Sequence, residues 1–266
     1  MESSLLAPVV PVRPVAPYVG GKRNLAKTII GLINATPHTT YCEPFVGQGG
    51  IFLRRDRRPK CEVINDASGD IATFFRILQR HYPQLMEVLR FQVTSRRDFE
   101  RLVKVDPSTL TDLERAARFL YLQTAAFGGK VVGRNFGVRV ARPAPFDLTR
   151  LAPMLADVHE RLSAVTIENL DFAAFIRRYD RVDTLFYCDP PYWGTEDYYG
   201  KELFARADFE RLAEALRGLQ GRFILSLNDV PQIRELFAWA NIQSVNVSYG
   251  VSGKGATAAK EVIIRN

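Results

Sequence analysis

The residues best suited to chemistry lie in three short segments. The first is Asp189-Pro190-Pro191-Tyr192, directly behind the apolar run Thr184–Cys188. Two successive prolines fix the backbone and remove two amide donors. What remains is a carboxylate, carbonyl acceptors and an aromatic ring in one rigid cluster. Such a cluster suits a planar substrate that carries an amino group. Carboxylate and carbonyl accept its N–H bonds, and the ring stacks on its flat face. The second segment is Glu43-Pro44-Phe45-Val46-Gly47-Gln48-Gly49-Gly50. Glycines behind a strand let the backbone turn sharply and approach a ligand closely, although a plain tight turn explains them as well. The dinucleotide pattern lacks its third glycine. Neither Gly20-Gly21-Lys22-Arg23 nor Gly253-Lys254-Gly255-Ala256 completes a phosphate-binding loop, so ATP is disfavoured. The third segment is Asn65-Asp66. A carboxylate at a strand end accepts hydrogen bonds from both ribose hydroxyls of a nucleoside-containing cofactor, or simply caps a helix.

These segments need strands to hold them. Tyr41–Cys42, Cys61–Ile64 and Thr184–Cys188 read as strands that end at the three motifs. Further strands are expected at Val165–Asn169, Arg222–Leu227, Ile242–Val251 and Glu261–Ile264. Helical spacing marks Asn24–Ile33, Asp70–Arg80, Phe172–Tyr179, Asp208–Leu219 and a helix from Pro231 through Trp239, and Ile51–Arg55 starts another. The alternation predicts an α/β fold whose sheet is mostly parallel, with ligand sites at the carboxyl ends of its strands. The last two strands are separated by only about nine residues, too few for a parallel crossover, so the last strand is expected to be antiparallel. Residues 84–164 hold more helical stretches, notably Asp112–Ala126, and a Gly-, Arg- and Val-rich piece, Gly128–Val140. They are too long for a plain connection and read as an inserted subdomain between catalytic-domain parts 17–83 and 165–266. Residues 1–16 are Pro-rich and expected to form a flexible tail.

Composition narrows the class. The chain has 266 residues, 47% of them apolar, which excludes a disordered protein. Its 36 Lys+Arg against 29 Asp+Glu give a formal charge of +7, which allows an anionic partner without naming one. Three cysteines, with no Cys-x-x-Cys or Cys/His cluster, disfavour a disulfide scaffold or a structural zinc. No run is long and apolar enough for a membrane span, and the proline-broken start lacks a signal peptide's basic region, so a cytoplasmic location is expected. Between Phe127 and Arg150 stand Lys130, Arg134, Arg139, Arg142 and Arg150 against Asp147 alone. Arg134 and Asn135 suit guanine and adenine edges, while phosphate contact is the commoner role for such arginines. Arg54, Arg55, Arg57, Arg58 and Lys60 form a second basic cluster, read either as a DNA-facing surface or as a solvated helix end.

Together the segments resemble the Dam-like family of DNA adenine-N6 methyltransferases. Asp189-Pro-Pro-Tyr192 looks like the family's catalytic motif and Glu43-Pro-Phe-Val-Gly-Gln-Gly49 like its methyl-donor loop. Tyr18-Val-Gly-Gly-Lys22 is similar to the N-terminal Trp-Ala-Gly-Gly-Lys signature, with Tyr18 in place of Trp. Val63-Ile-Asn-Asp66, Asn169-Leu-Asp-Phe172 and Lys260-Glu-Val-Ile-Ile264 resemble the ribose segment, the cofactor-adenine segment and the closing strand. The matches run from about residue 17 to the end in the family's order, which is more specific than any single motif. In Tyr121–Gly129, Gln123 and Gly128 stand where the family has Asn, so the target sequence is not legible.

The resemblance implies a Rossmann-like methyltransferase sheet with a mainly helical target-recognition insertion at residues 84–164. It also implies S-adenosylmethionine as cofactor, double-stranded DNA as partner and no metal. Tyr18, Lys22, Phe45, Gly47, Gly49, Asp66, Asp171, Phe172 and Asp189 would line the cofactor site. Asp189, Pro190 and Tyr192 would act on a flipped-out adenine, and Lys130, Arg134, Asn135, Arg139 and Arg142 would touch DNA. Asp189 and the Pro190 carbonyl would accept the amine's N–H bonds and free its lone pair for in-line attack, a proximity effect worth up to ~7–11 kcal/mol. No cysteine follows a proline, which argues against covalent cytosine-C5 chemistry. The rival readings are an amine methylase acting on cytosine N4 or RNA, and a non-catalytic DNA-binding relative. A monomer is the expected state. Restriction partnership, genome marking and phage self-protection are the settings in which such an enzyme serves.

Overall fold

The computed structural model describes residues 6–18, 22, 24–137, 143–198, 203–251 and 254–266. Among them one sheet holds seven strands: β1 Thr40–Glu43, β2 Cys61–Asn65, β3 Val165–Glu168, β4 Thr184–Cys188, β5 Arg222–Asn228, β6 Asn241–Val251 and β7 Lys254–Arg265. Their order is β3-β2-β1-β4-β5-β7-β6. The pairs from β3 to β5 are parallel, and β7 runs antiparallel between β5 and β6. The expected α/β class and antiparallel last strand therefore hold. The last hairpin is tighter than expected. Pairing continues to Val251 and Lys254, so β7 takes in most of the residues expected to separate the last two strands.

Strands β1, β2, β4 and β5 are buried on both faces, as the β-α alternation requires. Successive residues of each strand point to opposite sides. Tyr41, Ile64, Leu185, Tyr187 and Ile224 join one core, while Cys42, Val63, Phe186, Cys188 and Leu225 join the other. The first core is covered by α1 Ala26–Ala35, α2 Gly69–Arg80, α3 Tyr82–Arg90, α4 Arg96–Lys104, α5 Asp112–Ala125 and α6 Leu148–Arg161. The second is covered by α7 Phe172–Tyr179, α8 Asp208–Arg217 and α9 Pro231–Leu236. A capping box from Thr111 and Glu114 starts α5. Helix α9 stops at Leu236, short of Trp239, and Phe52–Arg54 make only one 3-10 turn.

Helices α3 to α6 occupy the long intervening stretch and share their core with α1, α2 and the sheet. The stretch between α5 and α6 folds back on itself. Phe127 N–H donates to Asn135 O at 2.8 Å, Gly137 N–H donates to Ala125 O at 2.8 Å, and Ala126 bridges Phe136. Residues 6–16 lie against the body instead of trailing from it. Ala7–Pro8 pair with Arg57–Arg58, Val12 N–H donates to Leu53 O, and Leu6, Val15 and Ala16 are buried. The proline spacing that suggests a tail also suits an extended strap whose apolar residues pack at intervals.

Candidate active site

The chain order reverses between β1 and β4, and a cavity of about 480 Å³ opens at the carboxyl ends of β1, β2 and β4. Its wall includes Tyr18, Lys22, Glu43, Phe45, Gly47, Asp66, Tyr187, Asp189, Pro191 and Phe204. Pro14–Pro17 of the strap and Val131 of the folded-back stretch close its far side.

The glycine loop and Asp66 form one unit. Asp66 accepts the Gly47 N–H and the Ser68 N–H, each at 2.9 Å. Gly47 and Gly49 have φ of 52° and 72°, values that L side chains rarely adopt. A Cβ on Gly47 would lie 3.0 Å from the Tyr18 ring, and one on Gly49 would lie 2.8 Å from the Leu53 side chain. Burial pushes the Asp66 carboxyl up to about 6, against the two backbone donors that pull it down. The buried Asn65 holds the neighbouring loops together. Its amide donates to Pro44 O and Leu170 O, and its oxygen accepts Leu170 N–H. Glu43 is buried beside them, accepts the Tyr41 hydroxyl at 2.6 Å, and is pushed up to about 8 by burial.

Asp189 follows β4, whose five residues are all buried. Burial pushes its carboxyl above the ordinary value. The Lys22 ammonium, 2.7 Å from Oδ1, opposes that shift. Lys22 is buried and also donates to the Tyr192 hydroxyl at 2.7 Å. Ser226 Oγ donates to Asp189 Oδ1 at 3.1 Å and is itself bonded to the Tyr187 hydroxyl. The turn after Tyr192 is fixed from β5, where Asn228 both accepts Trp193 N–H at 2.9 Å and donates to Trp193 O at 3.0 Å. The Tyr192 hydroxyl donates to Glu261 of β7, a buried carboxylate.

The structure thus brings Tyr18, Lys22, Phe45, Gly47, Asp66 and Asp189 to one cavity, with Gly49 in the loop behind it. It places other expected residues elsewhere. Asp171 caps α7 through the Ala173 and Ala174 N–H groups and pairs with Arg211 at 3.0 Å, outside the cavity wall. Phe172 is buried behind Phe45, with ring centroids 5.4 Å apart. Pro190 is buried and Tyr192 half-buried, and of this turn only Asp189 and Pro191 are in the cavity's wall. Lys130 and Asn135 are exposed. Arg134 turns inward, donating to Lys130 O at 3.2 Å and Gln123 Oε1 at 3.4 Å. Arg139 and Arg142 lie outside the described residues.

The second basic cluster divides. Arg55 is fully buried, pairs with Glu62 at 2.8 Å and lies 3.7 Å from the Tyr41 ring centroid, so it belongs to the core and not to a DNA-facing surface. Arg57 and Lys60 remain exposed. Asn65, Ser226, Asn228 and Glu261 are positioning groups to which the motif reading gave no role. Asn65 and Asn228 end β2 and β5, and Ser226 and Glu261 are polar residues inside their strands. Among the described residues no group of His, Cys, Asp and Glu is arranged to hold a metal ion, and no helix is long and apolar enough to cross a membrane.

The chain is similar to named proteins along most of its length. A type II methyltransferase of Lactococcus lactis subsp. cremoris is 26% identical, over 96% of this chain and 95% of that protein. A DNA adenine methylase of Haemophilus influenzae is 26% identical, over 93% of this chain and 90% of that one. Among solved structures, a precorrin 8w decarboxylase from Methanobacterium thermoautotrophicum aligns over 97% of this chain and 99% of its own, at 11% identity and a TM-score of 0.43. Residues 18–251, from the strap's Tyr18 to the end of β6, match the model of one enzyme family. The chain belongs to the D12 class of N6 adenine-specific DNA methyltransferases, enzymes that take their methyl group from S-adenosylmethionine.

Proposed function

We propose that this chain methylates the N6 amine of adenine in double-stranded DNA at the cavity between β1, β2 and β4. The observation that carries the reading is the Asp189 carboxylate. It is held at a strand end between Lys22 and Ser226, in the same cavity as the Gly47–Asp66 unit.

The cavity's residues fit S-adenosylmethionine. Its volume lies within the roughly 300–1,000 Å³ of small-molecule sites. The positive φ at Gly47 and Gly49 keeps the loop's backbone open to a close ligand, and Asp66 retains lone pairs for ribose hydroxyls beyond its two backbone bonds. Phe45 and Phe204 supply an apolar wall, with Phe172 supporting them from behind. When bound, the donor supplies an electrophilic methyl group on a sulfonium.

The rest of the mechanism belongs to this chain's side chains. The target adenine must leave the stack, at a cost of a few kcal/mol. Tyr192 offsets about 1–3 kcal/mol of that by stacking. Asp189 and the Pro190 carbonyl accept the two amine N–H bonds and draw electron density onto nitrogen. Lys22 opposes the effect of burial on Asp189 and orients it. The preorganised pair fixes the nucleophile in line, so no protein nucleophile is required. Lys130 and Asn135 on the exposed face of the folded-back stretch meet DNA, Arg134 joins them by turning outward, and Arg139 and Arg142 are further DNA contacts in this reading. Residues 84–164 then act as the target-reading insertion. In this reading the enzyme works as a monomer in the cytoplasm of a bacterium or a phage-infected host.

Asp189→Ala tests the assignment. It is expected to reduce transfer to duplex DNA by at least about a thousand-fold, the order of one preorganised group. DNA affinity should stay close to that of the parent, and the thermal midpoint should fall because buried Lys22 loses its carboxylate. Turnover at the parent rate would remove Asp189 from the mechanism.

A further inference from the structure

The Tyr192 phenol lies between two charged groups from distant parts of the chain. Lys22 Nζ donates to it at 2.7 Å and lies 4.2 Å from the ring centroid. The phenol donates in turn to Glu261, which is 1% exposed. Glu261 is on antiparallel β7, opposite Asn228 in the register, and Asn228 clamps the next residue, Trp193, through both of its backbone groups. Burying a second carboxylate beside Asp189 opposes stability unless it is paired, and its proximity pushes Asp189 toward its neutral form. A packing role would be met by an apolar residue, as at Ile263 two positions on, which faces the same core side.

We infer that Glu261 is a positioning residue for the acceptor base: through the phenol, with Lys22, it fixes the attitude in which the Tyr192 ring receives the extruded adenine. This rests on the adenine reading above. A ring bonded at its hydroxyl by a charge-assisted acceptor loses the freedom to tilt that an unanchored ring keeps. The stacking surface is thereby set before the base arrives. The C-terminal hairpin, none of whose described residues is in the donor cavity's wall, becomes part of base capture.

The test is a double-mutant cycle on Glu261→Gln and Tyr192→Phe, since both weaken or remove the same bond. The methylated adenine is first mapped in the product of the parent protein, then replaced by 2-aminopurine in the duplex, and the fluorescence rise on extrusion is titrated. Each single variant is expected to weaken the extruded complex by roughly ten-fold, and the double variant no further. Donor affinity by calorimetry should stay within about two-fold. Glu261→Asp should recover part of the loss. Additive losses, a parental response in Glu261→Gln, or an equal loss of donor affinity would each overturn the inference. If Glu261→Gln does not fold, Tyr192→Phe decides alone, and a parental response there overturns it. If the parent makes no methyladenine, both readings fall. If it does and the cycle is additive, only this one does.

Discussion

Asp66 and Asp189 are carboxylates pressed into one cavity, and their neighbours give them different tasks. Asp189 has an ammonium at 2.7 Å, whereas Asp66 has only backbone N–H groups to offset its burial and titrates at about 6. Its folded value lies above the unfolded one. The unliganded fold therefore holds a proton that the unfolded chain has released, and this contribution to stability is lost as pH rises through about 6. Ribose hydroxyls need the ionised form, which grows in over the same window. Donor affinity, measured by calorimetry between about pH 5 and about pH 7, is expected to rise with a midpoint near 6. Asp66→Asn should bind weakly and without that slope. The same slope in the variant would assign the titration to another group. Both aspartates were legible in the sequence because each ends an apolar strand. Glu43 was legible only as part of a motif, since nothing in its spacing shows that burial pushes its carboxyl up.

At the scale of elements, the reading succeeded where a strand is buried on both faces. Thr184–Cys188 and Cys61–Ile64 are short apolar runs with a polar stop, and a parallel sheet needs such runs. It failed where a site is assembled across strands. Ser226, Asn228 and Glu261 come from β5 and β7 and converge on the turn after β4, and no local period records that meeting. The strap was missed for a similar reason. Its bonds go to Leu53 and Asp56, and the buried Gln123 amide donates to Pro17 O at 2.8 Å and to Gly129 O at 2.7 Å. Gly129 is where the folded-back stretch touches the strap, because a Cβ there would lie 2.9 Å from the Pro17 carbonyl, at a φ of 69°. Gly129→Ala is expected to cost about 1–3 kcal/mol in urea unfolding and to weaken donor binding. Gly128→Ala has the same φ but nothing within 4 Å, so it should show the backbone strain alone. Equal losses in the two variants would mean that the strap contact carries no energy.

Across the whole molecule, the charge excess separates into two kinds. Arg55 and Arg161 converge on Glu62 beneath the sheet, with Arg161 at 2.7 Å, and stabilise the fold without meeting solvent. Glu62→Gln should cost about 3–5 kcal/mol, because it leaves two buried guanidinium groups without their carboxylate. Donor affinity of the folded fraction should be unchanged, since Glu62 is not part of the cavity wall. Chemical denaturation with parallel calorimetry checks both halves of that statement. The exposed basic residues, Lys130 among them, are the ones left for a polyanion. The central claim joins that surface to the cavity and is tested by the product itself. The protein is incubated with duplex DNA and S-adenosylmethionine labelled in its methyl group, and the DNA is digested to nucleosides and separated. The account predicts label in N6-methyladenine alone. Label in N4-methylcytosine, or transfer only to an RNA control, would contradict it.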